Sequence, residues 1–352
     1  MHPSLPAEDI ELVLSLTPEF WLRYANTRVF VTGGTGFIGT WLLEVIQRAN
    51  DVLGSRIEMV VLSRDPQRAL RNWPHIFARS DTSLIAGEIT HFKNPVGKFD
   101  LCIHAATDVS NPLKSGAPVN MFNSIIDGTR RVLDLAQTSG ASRLLLTSSG
   151  AVYGSQPVSL ERIDECYLGA PDPLQLSSAY GNGKRASEWL TVASSMPAVP
   201  ACFSASIARI FAILGPGLPF NGAFAAGNFI RDALAGKQIE IQGNGRPLRS
   251  YLYIADVCVW LLRILSSGAS GQAYNVGSEN SISIAELAQQ VVLASGRQSE
   301  VRILNPDVFD APVPRYVPDT HKARQELGLA EYTPLAAALQ KTFHWSRSSA
   351  TL

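Results

Sequence analysis

The stretch Arg28 to Gly39, RVFVTGGTGFIG, limits what this chain can fold into more than any other. Val29, Phe30 and Val31 are apolar and β-prone with no turn residue among them, so they read as a short buried strand. Thr32-Gly33-Gly34-Thr35-Gly36 is then a turn, and from Phe37 to Arg48 the apolar residues Ile38, Trp41, Leu42, Val45 and Ile46 recur at helical spacing. Strand, glycine turn and helix form the first half of a βαβ unit. Gly33, Gly36 and Gly39 follow a G-x-x-G-x-x-G pattern. Missing side chains there allow a tight turn, close approach of backbone to a pyrophosphate, and close packing of helix on strand. The phosphate charge then faces the positive end of the helix. The stretch reads as a dinucleotide cradle, with a ligand-free glycine turn as the alternative.

The same rhythm continues downstream. Ile57 to Leu62 is a second buried strand, Ser83 to Ala86 a third ending in Gly87-Glu88, and Phe99 to Ala106 a fourth. Gly128 to Gln137 is a helix and Arg143 to Thr147 a fifth strand. Strands alternating with helices predict a Rossmann doubly wound parallel sheet with helices on both faces, and ligands gather at the carboxyl ends of such strands. NAD-binding units place an acidic residue after the second strand. Here that place holds Ser63 and then Arg64, a hydroxyl and a guanidinium that suit a 2′-phosphate. NADP is therefore favoured over NAD, unless Arg64 is a solvated loop residue and Asp65 takes the ribose. His104 ends the fourth strand beside small residues and reads as structural rather than as a catalytic acid.

The fifth strand runs out into Thr147-Ser148-Ser149-Gly150-Ala151-Val152-Tyr153-Gly154. Further on, Ser178-Ala179-Tyr180-Gly181-Asn182-Gly183-Lys184-Arg185 opens a helix read as Lys184 to Ala193. Tyr180 and Lys184 lie four apart and share a helix face. A nearby ammonium stabilises a phenolate and lowers the tyrosine pKa. Such a phenolate can take a proton from a substrate hydroxyl while hydride leaves the same carbon. The alternative is an exposed helix pair.

TGGTGFIG, SSGAVYG and YGNGK resemble the motifs of the extended short-chain dehydrogenase/reductase family, with a closer likeness to its nucleotide-sugar epimerases and dehydratases. The likeness runs from about Arg28 to Leu329. It implies that Ser149 binds the reacting sugar oxygen, that Tyr180 is the acid/base, and that Lys184 tunes it. The implied cofactor set is Gly33, Thr35, Gly36, Phe37, Ile38 and Gly39 from the turn, Ser63 and Arg64, Glu88, Ala105 and Ala106, with Tyr180 and Lys184. On the substrate side the resemblance implies Arg249, in R-x-Y-x-Y-x-x-D-V, as a ligand of the sugar-nucleotide diphosphate. Arg315 contacts the nucleotide in the same reading, and Asn228 is a further diphosphate candidate. The implied partner is a nucleotide-activated sugar, no metal is needed, and the chain is expected to be a homodimer. Residues 1–25 are expected as an N-terminal helical extension and 26–212 as the dinucleotide-binding domain, with a return segment 250–276. Residues 213–249 and 277–352 then form a smaller α/β substrate domain, in which Gly243-Asn244-Gly245 is a hairpin signal.

Departures from the family narrow the chemistry. Its 4,6-dehydratases carry an acidic pair after the catalytic hydroxyl, and its decarboxylases usually a glutamate at the second of those positions. Here they are Gly150 and Ala151, so both activities are disfavoured. Two common asparagines are replaced by Ile125 and Ala212, which predicts a more apolar sugar pocket. The first expectation is an epimerase acting through a 4-keto hexose. The alternative is an NADPH-dependent 4-ketoreductase, which Arg64 favours. A non-catalytic dinucleotide sensor is disfavoured by the complete Ser149, Tyr180 and Lys184 set.

Composition sets the remaining bounds. With 46% hydrophobic and 17% charged residues the chain is globular. Its 30 Lys and Arg balance its 30 Asp and Glu with no basic block, so neither nucleic acid nor a membrane surface is an expected partner. Cys102, Cys166, Cys202 and Cys258 are far apart, as expected of reduced, mostly buried thiols in a cytoplasmic protein. The N-terminus carries Glu8, Asp9 and Glu11 where a signal peptide would be basic or apolar, and it predicts one or two short helices. No apolar run is long enough for a membrane span.

Overall fold

The computed structural model describes residues 2–107, 117–196, 203–220, 224–306 and 312–349. Helices α1 (Ala7–Leu16) and α2 (Pro18–Arg23) precede β1 (Arg28–Thr32) and α3 (Phe37–Leu53). Next come β2 (Glu58–Ser63), α4 (Pro66–Asn72), α5 (Pro74–Phe77), β3 (Thr82–Ala86) and β4 (Leu101–His104). They are followed by α6 (Ala117–Ser139), β5 (Arg143–Ser149), α7 (Ala179–Ser194) and β6 (Ser204–Ile210). Shorter pieces come after: β7 (Ile213–Leu214), α8 (Ala225–Leu234), β8 (Ile239–Ile241), β9 (Leu248–Arg249) and β10 (Leu252–Tyr253). The chain then forms α9 (Ile254–Ser267), β11 (Gln272–Val276), β12 (Ile282–Ser283), α10 (Ile284–Ser295) and β13 (Val301–Ile303). It ends in β14 (Arg315–Tyr316), α11 (His321–Leu327) and α12 (Leu335–Ser349).

Seven strands make one parallel sheet in the order β11-β6-β5-β4-β1-β2-β3. The order reverses between β1 and β4, and the crevice at that reversal, at the carboxyl ends of the strands, is where such sheets bind ligands. Side chains alternate across the sheet. Val29 and Val31 pack with Trp41, Leu42 and Trp260 on the α3 and α9 face, while Phe30 packs with Phe99, Val132 and Leu146 on the α6 face. The fold is thus the Rossmann α/β sheet with helices on both faces. After the small strands β7 to β10 the chain returns through α9, and β11 adds to the sheet beside β6.

The smaller α/β part is built from α8, α10 and α12 and from paired short strands. The three-stranded set has the order β12-β9-β14, and β13 pairs with β8. The Gly243-Asn244-Gly245 hairpin does not form. Asn244 Oδ1 accepts from Arg246 N at 3.1 Å and Gly245 is left-handed (φ 72°), so the turn chemistry is present. However, β8 pairs in parallel with β13, while β9 pairs with β12 and β14. Flanking strands this short cannot sustain a ladder of their own, and each finds a partner later in the chain.

Both N-terminal helices form, and α1 is tied to distant segments through the buried Asp9. The Tyr253 hydroxyl donates to Asp9 Oδ2 and Lys341 Nζ to Asp9 Oδ1, each at 2.6 Å. Cys102 and Cys258 are buried and Cys166 is exposed, whereas Cys202 lies outside the described residues. No described helix is long and apolar enough to cross a membrane.

Candidate active site

The turn after β1 is pressed onto the end of β4. Gly33 is left-handed (φ 73°), and a Cβ there would lie 2.5 Å from the Ala105 carbonyl and 2.6 Å from Ala106 N. A Cβ on Gly39 would lie 2.2 Å from Gly33 O, so this glycine seats α3 on the turn. Gly36 is the N-cap of α3 and no side chain caps it, so the first-turn N–H groups are offered to an anion.

In front of this turn opens a cleft of about 660 Å³. Its lining includes eight of the expected cofactor residues, Gly33, Thr35, Gly36, Ser63, Arg64, Glu88, Ala105 and Ala106. The bare backbone, the helix end and the volume of the cleft fit a dinucleotide. Phe37, Ile38 and Gly39 are not part of the lining: Phe37 and Ile38 pack against the core, and Gly39 against Gly33. Arg68, Thr107, Ser124 and Ile125 line it too. Arg68 was not anticipated, although it lies in the first turn of the helix opened by Asp65-Pro66. Asp65 Oδ1 accepts from Arg68 N at 2.9 Å, so this carboxylate already serves as the cap of α4. His104 is buried between Thr32 Oγ1 (2.8 Å from Nδ1) and Thr129 Oγ1 (3.2 Å from Nε2). Burial, and then the Lys184 charge, push its pKa down to about 3. A neutral imidazole bonded on both nitrogens ties β1, β4 and α6 together.

The chemistry-bearing groups meet at the end of β5. Ser149 Oγ accepts from Ala151 N at 3.2 Å and caps the 3₁₀ turn Gly150–Tyr153. The phenols of Tyr180 and Tyr316 both interact with this same hydroxyl. Because α7 begins at Ala179, both Tyr180 and Lys184 are helical and sit one turn apart. Lys184 is 3% exposed, and its Nζ donates to Thr107 Oγ1 and to Thr147 O, each at 2.7 Å. Burial pushes this ammonium down to about 8, with Glu188 opposing. Its hydrogen bonds moor it to the ends of β4 and β5. Burial raises the Tyr180 phenol above its ordinary range, and the Ser149 bond is what pulls the other way. The Lys184 ammonium, bonded to Thr107 and Thr147, stands one helical turn from this phenol.

A buried network fixes this end of β5 from behind. Ser148 Oγ donates to Glu188 Oε1 at 2.6 Å, and Arg209 pairs with Glu188 at 2.7 Å. Arg209 also donates to the Tyr153 hydroxyl (2.9 Å), which in turn donates to Asn275 Oδ1 (2.7 Å). Such a network specifies one arrangement when every member is satisfied. None of its long-range pairings has a local sequence signal.

On the substrate side, β9 and β14 place Arg249 opposite Tyr316. The Arg249 guanidinium lies 5.8 Å from the Tyr316 ring centre, and that ring packs on Phe211 at 4.6 Å. Arg249 Nη1 donates to Leu248 O at 2.8 Å. Arg315 Nε is buried without a hydrogen-bond partner. Asn228 lies on α8 with its Oδ1 accepting from Arg231 at 3.1 Å, and it lines a separate cleft with Lys237, Gln242 and Pro247. Ile125 packs against Gly183 and lines the cofactor cleft, and Ala212 belongs to the core. The apolar wall beside Tyr316 is Phe211.

The sequence profile of the NAD dependent epimerase/dehydratase family matches residues 29–277. Among curated proteins, UDP-glucuronic acid decarboxylase 1 of Xenopus tropicalis is 29% identical over 321 residues, covering 91% of this chain and 72% of that protein. UDP-glucuronic acid decarboxylase 6 of Arabidopsis thaliana is 29% identical over 305 residues, covering 86% and 84%. Among solved structures, UDP-glucose 4-epimerase of Thermotoga maritima with UDP-glucose superimposes with a TM-score of 0.75 at 19% identity, covering 92% of this chain and 99% of that one. The dTDP-glucose 4,6-dehydratase DesIV of Streptomyces venezuelae, with NAD and TYD bound, gives 0.76 at 23% identity, covering 92% and 98%. These two structural likenesses are likenesses of fold.

Proposed function

This chain belongs to the NAD dependent epimerase/dehydratase family, and from that premise we propose that it oxidises a nucleotide-linked sugar at C4, lets a C6 carboxylate leave, and reduces the ketone again. The observation that carries the reading is the meeting of the Ser149 hydroxyl and the Tyr180 phenol at the end of β5, with Lys184 buried one helical turn along α7. Gly33, Thr35, Gly36, Ser63 and Arg64 would hold the dinucleotide, which when bound supplies hydride acceptance and return at C4. Ser149 orients O4, Tyr180 takes its proton and gives it back, and Lys184 supplies positive charge behind the phenol. Arg249 and Arg315 hold the diphosphate, a role that the unpartnered Arg315 Nε supports.

The loss of CO2 fits the residues at hand. Water elimination needs a base for C5 and an acid at C6, and Gly150 and Ala151 provide neither. A carboxylate β to a ketone needs no base: its bonding electrons flow into the ketone as CO2 departs. The missing glutamate at position 151 therefore weighs less against decarboxylation than the sequence suggested. The decarboxylase names of relatives 28–29% identical over most of the chain support this order of preference.

A second reading is the 4-epimerase expected from sequence. It is favoured by Gly150, Ala151 and Phe211, which offer no charged grip for a carboxylate. Ser63, Arg64 and Arg68 at the cleft favour NADP and, with it, a 4-ketoreductase. The chain is taken to work in the cytoplasm as a homodimer, in which Trp189 of α7, 70% exposed, would be covered.

Incubation with UDP-glucuronic acid, UDP-glucose and UDP-galactose, each with NAD or NADP, separates these readings by NMR of the products. CO2 and a UDP-pentose with no net cofactor change are expected. Interconversion of the two hexoses without CO2 would instead establish the epimerase. Stoichiometric oxidation of NADPH with a 4-keto sugar would establish the reductase. A 4-keto-6-deoxy product from UDP-, dTDP-, GDP- or CDP-glucose would sink the argument from Gly150 and Ala151.

A further inference from the structure

We propose that Tyr316 is a second active-site acid, which gives C5 of the sugar its proton after CO2 has left; the proposal rests on the reading in the preceding section. Tyr316 meets the same hydroxyl as Tyr180, so two phenols converge on Ser149. Its oxygen stands where a side chain of residue 150 would be: a Cβ on Gly150 would lie 2.6 Å from it. A hydroxyl from the far end of the chain thus occupies the place that Gly150 leaves vacant. The ring is fixed between Phe211 and Arg249, and β14 is held to β9 by the register Tyr316↔Arg249.

Proton balance calls for such a group. On oxidation Tyr180 takes the O4 proton, and on reduction it must return it. If Tyr180 also protonated C5, no proton would remain for O4. In the step assigned here the C5–C6 bond breaks and C6 leaves as CO2. Its electron pair forms the C4–C5 enolate. The C5 carbon then takes the proton of the Tyr316 hydroxyl as the ketone re-forms, and the Tyr316 phenolate recovers a proton from water. Burial keeps this phenol above its ordinary pKa, so it is protonated at neutral pH and acts as acid rather than base. The nearby Arg249 charge favours the short-lived phenolate.

The test is UDP-glucuronic acid turnover in D2O by wild type and Tyr316→Phe, with NMR of the C5 methylene of the pentose and the nicotinamide absorbance as readouts. Wild type should place one deuterium on a single face of C5. Tyr316→Phe keeps the ring against Phe211, so its melting temperature should be unchanged. Oxidation of the sugar should stay within about threefold, while pentose formation falls about 10²–10⁴-fold and the residual deuterium spreads over both faces. Turnover within about threefold with all deuterium still on one face would overturn the proposal and leave the decarboxylase reading standing. Absence of CO2 from wild type would overturn both.

Discussion

The task proposed for Tyr180 is to move a proton to and from the sugar oxygen beside Ser149, and phenylalanine cannot do it. Tyr180→Phe should fold and bind cofactor, with the chemical step slowed about 10²–10⁴-fold in single-turnover measurements. Turnover near wild type, with chemistry rate-limiting, would remove Tyr180 from the mechanism. Lys184 makes a pH-dependent contribution of its own. Its folded pKa, about 8, lies below its ordinary 10.5 because burial disfavours the ammonium. Between those values the unfolded chain binds more protons, so stability rises with pH across that window. Lys184→Met lacks this dependence. Wild type should therefore gain on the variant between about pH 8 and 10.5, by at most about 3 kcal/mol in urea unfolding. A constant difference across the window would refute the buried ammonium. At the far end of the cleft, Arg64→Ala and Arg68→Ala should each weaken NADP by about 1–3 kcal/mol in calorimetry and leave NAD nearly unchanged. A clear preference of wild type for NAD would end the NADP assignment.

Among the elements, the β1–turn–α3 unit is where sequence and structure agree most directly, and it can be broken at one atom. Gly39→Ala places a methyl carbon 2.2 Å from Gly33 O, so either α3 or the turn must shift. The expected cost is about 1–3 kcal/mol of stability, with dinucleotide affinity reduced at least tenfold. An unchanged melting curve and Kd would show that the packing is looser than drawn. The unit was legible because its signals are local: an apolar strand, glycines every third residue, and a 3.6-residue apolar repeat through Ile46. Tyr180 and Lys184 were legible for the same reason, as a spacing of four on one helix. The short strands beyond residue 213 were not. Gly243 to Gly245 turns the chain as its composition says, but the partner of β8 is β13, about sixty residues on. Tyr316, Arg68 and Thr107 escaped notice because each reaches the site through tertiary packing. Tyr316 stands next to Arg315, and only the pairing of β14 with β9 reveals that its hydroxyl lies beside Gly150.

On the scale of the whole molecule, the N-terminal helix is a clamp rather than an appendage. Asp9, 1% exposed, is bonded to Tyr253 from the segment entering α9 and to Lys341 from α12, so one carboxylate joins the two ends of the chain to its middle. Removing one partner of a buried ion pair leaves the other charge uncompensated, at a cost of about 3–5 kcal/mol when both are dry. The Lys341 side chain is 28% exposed and also reaches Glu8, so solvent screens part of that loss. Lys341→Met should therefore destabilise the chain by about 1–3 kcal/mol in urea unfolding. Asp9→Asn keeps a partner for Tyr253 without the charge, so the Asp9→Asn/Lys341→Met double variant should lose much less than the two single losses added together. Activity per folded molecule should be unchanged, because the clamp lies on the α3 and α9 side of the sheet and no atom of it touches Ser149 or the cleft. Additive losses would mean that Asp9 and Lys341 act independently, and that α1 is held by its other ties, the apolar contacts of Ile10, Val13 and Leu14 and the Glu11–Arg48 pair among them.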